Sequence, residues 1–178
     1  MAKLTPPIND QDHVLGPENA PVTLVEYGDF QCPHCGAAYP ILQQIIAEMG
    51  SQMRFAFRHF PLTESHEYAE VAAEAAEAAA AQGEFWAMHD IIFRNQGRLD
   101  MDGLREFAQA IGLDLKAFDE ALMTHRYEDR VQSDFSSGVR SGVNGTPTLF
   151  VNGQRYDGPV EHRSLLHALK AVADEAKA

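Results

Sequence analysis

Residues 28–40 read GDFQCPHCGAAYP and hold both cysteines of the 178-residue chain, Cys32 and Cys35, with only a proline and a histidine between them. Upstream, PVTLVEYGDF (21–30) has apolar or aromatic side chains on both parities, as a strand buried on both faces requires. Downstream, PHCGAAYPILQQIIAEMG (33–50) places Tyr39, Leu42, Ile45, Ile46 and Met49 at helical spacing and stops at Gly50. Pro33 suits a first helical turn, where its missing N–H would have no partner anyway, and Pro40 is expected to kink the helix. The next run, QMRFAFRHFP (52–61), sets Met53, Phe55 and Phe57 on one face and Arg54 and Arg58 on the other, a second strand ending at Pro61. The cysteines therefore sit at the strand-to-helix turn of a βαβ unit.

That position has chemical consequences. The first turn of a helix has unpaired N–H groups and the positive end of the helix dipole, both of which stabilise a thiolate. Cys32 is thus the expected nucleophile, and Cys35, one turn deeper, is expected to be shielded and placed to attack a mixed disulfide formed at Cys32. A helix terminus supplies only about one pKa unit, so His34, able to donate to the sulfur, decides how far the thiol is activated. If the pKa reached ~4, the dithiol form would gain about 4 kcal/mol at pH 7, raising the reduction potential by roughly 90 mV. The alternative is a zinc half-site closed by two of the eight histidines, such as His59 and His66. The second CxxC or HxxxH usual for structural zinc is absent. His59, in FAFRHFP, otherwise reads as a hydrogen-bonded core or edge residue.

A chain of this length buries a sizeable core without disulfide reinforcement, so the pair is not needed as a staple. Lys and Arg number 14 against 26 Asp and Glu, a formal charge of -12 that disfavours nucleic acid and anionic lipid as partners. Solubility is a simpler reason for the acidity. No apolar stretch of signal-peptide type follows Lys3, and no run reaches membrane-spanning length. The sequence as given is expected to be soluble and cytoplasmic, or periplasmic or fused to a larger protein if its start was trimmed. A lone CxxC in a reducing compartment is more often catalytic or metal-binding than structural.

Beyond Pro61 the pattern turns helical in five stretches between 64 and 142, punctuated by glycine and polar capping residues. Phe85, Trp86, Phe93, Phe107 and Phe118 recur there at helical spacing as its core. Strand character returns in TPTLFVNGQRYDG (146–158), where Asn152-Gly153 signals a hairpin, and EHRSLLHALKAVADEA (161–176) is a last helix. The organisation is an α/β domain over 13–62 and 143–176, an inserted all-helical subdomain over 63–142 and an N-terminal leader over 1–12.

FQCPHC (30–35) and GVNGTPTLFVNG (142–153) together resemble the thioredoxin superfamily, in particular its DsbA-like thiol-disulfide oxidoreductases. The resemblance runs from about 13 to 172 and has the helical insertion in the expected place. It implies a thioredoxin-like fold in which the Thr146-Pro147 bond is cis and faces Cys32, presenting Thr146 backbone to an extended substrate segment. X-Pro bonds are the ones that adopt the cis form, and such backbone can accept a partner by strand addition. Glu26, six residues before Cys32, falls where the family has an acidic residue beneath the active site. There it could relay a proton for Cys35, or it is simply a strand-end glutamate reaching solvent. The function implied is disulfide exchange with protein or peptide thiols, without a bound cofactor, and CPHC favours the oxidising direction. An intracellular reductase or isomerase, or a non-catalytic redox-sensing or zinc-holding module, are the alternatives.

Overall fold

The computed structural model describes residues 2–178. Five strands, β1 (His13–Leu15), β2 (Val22–Gly28), β3 (Met53–His59), β4 (Thr148–Val151) and β5 (Gln154–Tyr156), form one sheet in the order β1-β3-β2-β4-β5. Seven helices accompany them among the described residues: α1 (Pro33–Met49), α2 (Ala69–Ala80), α3 (Phe85–Phe93), α4 (Met101–Ala110), α5 (Leu115–Met123), α6 (Glu128–Arg140) and α7 (His162–Lys177). This is the α/β fold with a helical insertion that the sequence pattern predicts, and the thioredoxin-like fold that the resemblance implies. The α1 helix runs through Pro40 and ends at Met49, before a single 3-10 turn at Gly50–Gln52.

The chain forms two compact units. The first comprises the segment up to Gly28, Ala37–Arg58 and Ser137–Ala178; the second comprises Asp29–Gly36 and His59–Ser136. The turn carrying both cysteines thus clusters with the helical block.

In the first unit β2 lies between β3 and β4, and its side chains are buried on both faces except at Thr23, which accounts for its unbroken apolar character. It runs antiparallel to β4, with Glu26 opposite Leu149 and Tyr27 opposite Thr148. Asn152 and Gly153 turn β4 into β5 with φ of 48° and 83°, the left-handed pair that a two-residue hairpin demands. Asn152 also accepts the Thr23 N–H at 2.7 Å, fastening the hairpin to β2. Leu165, Leu169 and Ala173, spaced four apart on α7, are buried where that helix meets β2.

Two features of this unit lie outside the sequence pattern. The leader is structured: Lys3 bridges to Gln154 and the Leu4 N–H donates to the Gly153 carbonyl at 2.8 Å, and directly after it β1 pairs antiparallel with β3. Arg58, read from alternation as lying on a polar strand face, is only 2% exposed. Its guanidinium binds both Asp12 carboxylate oxygens at 2.8 and 2.9 Å, the Pro6 carbonyl at 3.0 Å and the Tyr27 hydroxyl at 2.9 Å. Burial opposes the charge, but the bonds to Asp12 and Tyr27 outweigh it and raise the pKa above the ordinary arginine value.

In the second unit, Phe85, Phe93, Phe107 and Phe118 are buried, as their spacing predicts, while Trp86 is half-buried. Asp100 and Asp114 cap α4 and α5 by accepting from Gly103 N and Ala117 N. His59, Glu77, Arg130 and Asp134 close a polar ring around buried backbone: His59 bonds Glu77 at 2.8 Å, Arg130 pairs with Glu77 and Asp134, and Asp134 accepts the His59 N–H at 2.9 Å.

Candidate active site

The cysteine turn is built around Asp29, which is buried. Its Oδ1 accepts the Gln31 N–H at 2.8 Å, the side-chain turn typical of aspartate at a loop start. Its Oδ2 accepts the Leu62 N–H at 2.9 Å and His66 Nδ1 at 2.7 Å, and its own carbonyl accepts the Cys32 N–H at 3.1 Å. Gln31 adds a second tie, accepting the Tyr68 N–H at 2.7 Å. Two side chains of the turn therefore pin the 62–68 segment. Phe30, also buried, anchors the turn among aromatic rings, with centroids 5.0 Å from Phe93 and 5.9 Å from both His59 and His89. Burial pushes the His89 pKa below its ordinary value, against the opposing hydrogen bond to Asp90, so this imidazole is held neutral.

Cys32 stands immediately before α1, and its carbonyl accepts the Gly36 N–H at 3.0 Å, the first bond of the helix. It therefore occupies the N-cap position, where a side chain is directed toward the unpaired N–H groups of the first turn. Pro33 opens the helix at N1, and both Pro33 and His34 are exposed. Cys32 is 3% exposed and Cys35 fully buried, so the second thiol is the more shielded, as its depth in the helix predicts.

The remaining candidates belong to the first unit. Glu26 is 2% exposed, which removes the reading of a strand-end glutamate reaching solvent. Gly28 leaves room beside it: a Cβ there would collide with the Phe57 ring and come within 3.1 Å of Glu26 Oε1. The Thr146-Pro147 peptide is cis, and Thr148 Oγ1 donates to the Gly145 carbonyl at 2.7 Å across it. Since Thr148 pairs with Tyr27 and Leu149 with Glu26, the Thr-Pro turn continues from β4 beside the end of β2 that leads into the cysteine turn. His59 and His66 are engaged by Glu77 and Asp29, and no metal-holding group of three or more His, Cys, Asp and Glu occurs among the described residues.

The family profile described as thioredoxin matches residues 8–171, nearly the whole chain. The chain belongs to the thioredoxin family. Its fold matches that of a DsbA from Wolbachia pipientis, alpha-DsbA1, with a TM-score of 0.81 at 20% identity over 95% of this chain and 94% of that one. A thioredoxin-like oxidoreductase from Silicibacter pomeroyi DSS-3 superposes with a TM-score of 0.80 at 27% identity, covering 95% of this chain and 94% of that one. In sequence the chain is 45% identical over 168 residues to a protein of Salinispora tropica named Na(+)/H(+) antiporter NhaA 3, covering 94% of this chain but 26% of that protein. The chain thus spans about a quarter of the length of the curated relatives it matches. Among the described residues no helix is long and apolar enough to cross a membrane.

Several residues of the site escaped the sequence pattern. Asp29 carried a signal, an aspartate placed just before a helix start, where turn chemistry favours it. His66 and Gln31 carried none, since each acts through backbone or side chains more than 30 positions away. Gln96 is the fourth, with its amide on the backbone of the turn at Phe30 and Cys32.

Proposed function

We propose that the chain is a thiol-disulfide oxidoreductase that exchanges disulfides with protein or peptide thiols and runs in the oxidising direction. The observation that carries this reading is Cys32 at the N-cap of α1 with Cys35 buried one turn further on. In the oxidised enzyme a substrate thiolate attacks Cys32 Sγ, the Cys32–Cys35 bond breaks and Cys35 leaves as thiolate. A second substrate thiolate then attacks the substrate sulfur of the mixed disulfide and expels Cys32. Two electrons pass from the substrate dithiol to the cysteine pair, so no further cofactor enters the balance.

Each residue has a role in this scheme. His34, exposed two residues after Cys32, supports the thiolate and raises the reduction potential, while Pro33 starts the helix without a wasted donor. Glu26, a buried carboxylate on the strand leading to the turn, supplies or accepts the proton of Cys35. Thr146 and Pro147 offer backbone to an extended substrate segment.

Trapping tests the scheme. Cys35→Ser is expected to accumulate mixed disulfides through Cys32, and Cys32→Ser to accumulate none. Equal trapping by both variants refutes the assignment of nucleophile. In glutathione buffers the pair is expected to equilibrate at a potential well above the roughly -270 mV of thioredoxin, and a midpoint near that value overturns the oxidising direction.

A further inference from the structure

Gln96 lies beyond the end of α3, and its Nε2 donates to two carbonyls of the reactive turn, that of Phe30 at 2.8 Å and that of Cys32 at 3.0 Å. Both hydrogens of the amide are thereby used. A Cβ built on Gly36 would collide with Gln96 Oε1 and come within 2.7 Å of Cδ. The amide thus fills the volume that a side chain at position 36 would take. Gly36 is a helix-interior residue of ordinary φ, where alanine would be the better helix former by about 1 kcal/mol. Close approach of Gln96 is a reason for glycine at that position.

We propose that Gln96 is a positioning residue for thiol exchange: its amide holds the Cys32 carbonyl in N-cap geometry and favours the Cys32 thiolate, and Gly36 is the notch that admits it. The inference rests on the exchange reading above. Two effects act in the same direction. The donor fixes the backbone on either side of Cys32, keeping its side chain directed at the first-turn N–H groups. It also opposes the negative ends of two carbonyl dipoles of the cysteine turn, which would otherwise repel a thiolate. Removing the donor disfavours the thiolate, hence the dithiol form, and makes the protein less oxidising.

The test uses Gln96→Met, close in length but without donors, Gln96→Glu, which sets an acceptor against two carbonyls, and Gly36→Ala, which evicts the amide. Cys32 alkylation by iodoacetamide is followed against pH, and the thiol-disulfide equilibrium is measured in glutathione buffers, with far-UV circular dichroism as the check on folding. In Gln96→Met, alkylation below neutral pH is expected to slow by roughly 3- to 10-fold, with the glutathione equilibrium shifted by a similar factor toward the disulfide. Gly36→Ala is expected to follow it, and Gln96→Glu to exceed it. If Gln96→Glu unfolds, the other two variants decide. Folded Gln96→Met and Gly36→Ala with wild-type alkylation profiles and wild-type equilibrium overturn the proposal while leaving the exchange reading intact. A wild-type Cys32 that alkylates like an unactivated thiol overturns both.

Discussion

Arg58 on β3 grips Asp12 of the N-terminal segment through two charge-assisted hydrogen bonds, 2.8 Å from Nε to Oδ1 and 2.9 Å from Nη2 to Oδ2. Both side chains are almost fully buried, so this pair fastens the leader to β3 at a site largely shielded from water. Breaking one member of such a pair leaves an uncompensated charge. Asp12→Ala is expected to lower unfolding stability by about 3–5 kcal/mol, and replacing both partners with apolar residues to cost much less. Urea denaturation of the two variants checks the difference.

Asp29 caps two backbone N–H groups and holds His66. Asp29→Ala strands those donors in a buried site and is expected to cost about 2–5 kcal/mol in stability. It is also expected to slow exchange, because the turn loses the contact that shapes it before Cys32. Asp29→Asn retains an acceptor oxygen, so its loss should be smaller in both respects; denaturation and insulin-reduction rates are the measurements.

His89 sets a pH dependence. Its folded pKa is lowered from the unfolded 6.5 by burial, with the bond to Asp90 opposing. Unfolding therefore takes up a proton between the two values. The stability due to the neutral ring is complete above pH 6.5 and falls as pH drops through the folded pKa, by about 1.4 kcal/mol per unit of separation. His89→Phe is expected to flatten that part of the stability curve between pH 7.5 and 5. An unchanged slope in the variant assigns the acid sensitivity to other groups.

His34 is exposed two residues after the N-cap cysteine, so replacing it should disturb chemistry more than folding. His34→Leu is expected to raise the Cys32 pKa by about one to two units and lower the reduction potential accordingly, with stability of the disulfide form nearly unchanged and that of the dithiol form lowered to match. Thiolate absorbance against pH reads the first and glutathione equilibration the second.

What was legible in the sequence was whatever depends on local periodicity or on rigid local chemistry. The two-sided apolar run of β2, the 3.6-residue spacing of α1 and the left-handed Asn152-Gly153 turn each follow from side-chain direction or backbone sterics within a few residues. So does the position of Cys32 at a helix head, because Pro33 and the strand before it leave little choice. The short β1 strand was not legible: its three residues are too few for a period, and pairing with β3 alone makes them a strand.

Arg58 shows the general limit. Alternation assigned it to a polar face, but polarity is satisfied equally by water or by Asp12, Tyr27 and the Pro6 carbonyl, and only the path of the leader selects the second. Gln96 and His66 are similar: an amide and an imidazole in helical or loop sequence say nothing of which groups they will meet, 66 and 64 residues away for the one and 37 for the other. The sequence by itself determined the strand-helix-strand frame and the place of the two thiols within it, because those depend on short-range sterics and on burial pattern. Tertiary structure alone decided which distant groups hold the cysteine turn, because a hydrogen bond has no memory of chain distance and forms wherever packing leaves a buried donor and acceptor together.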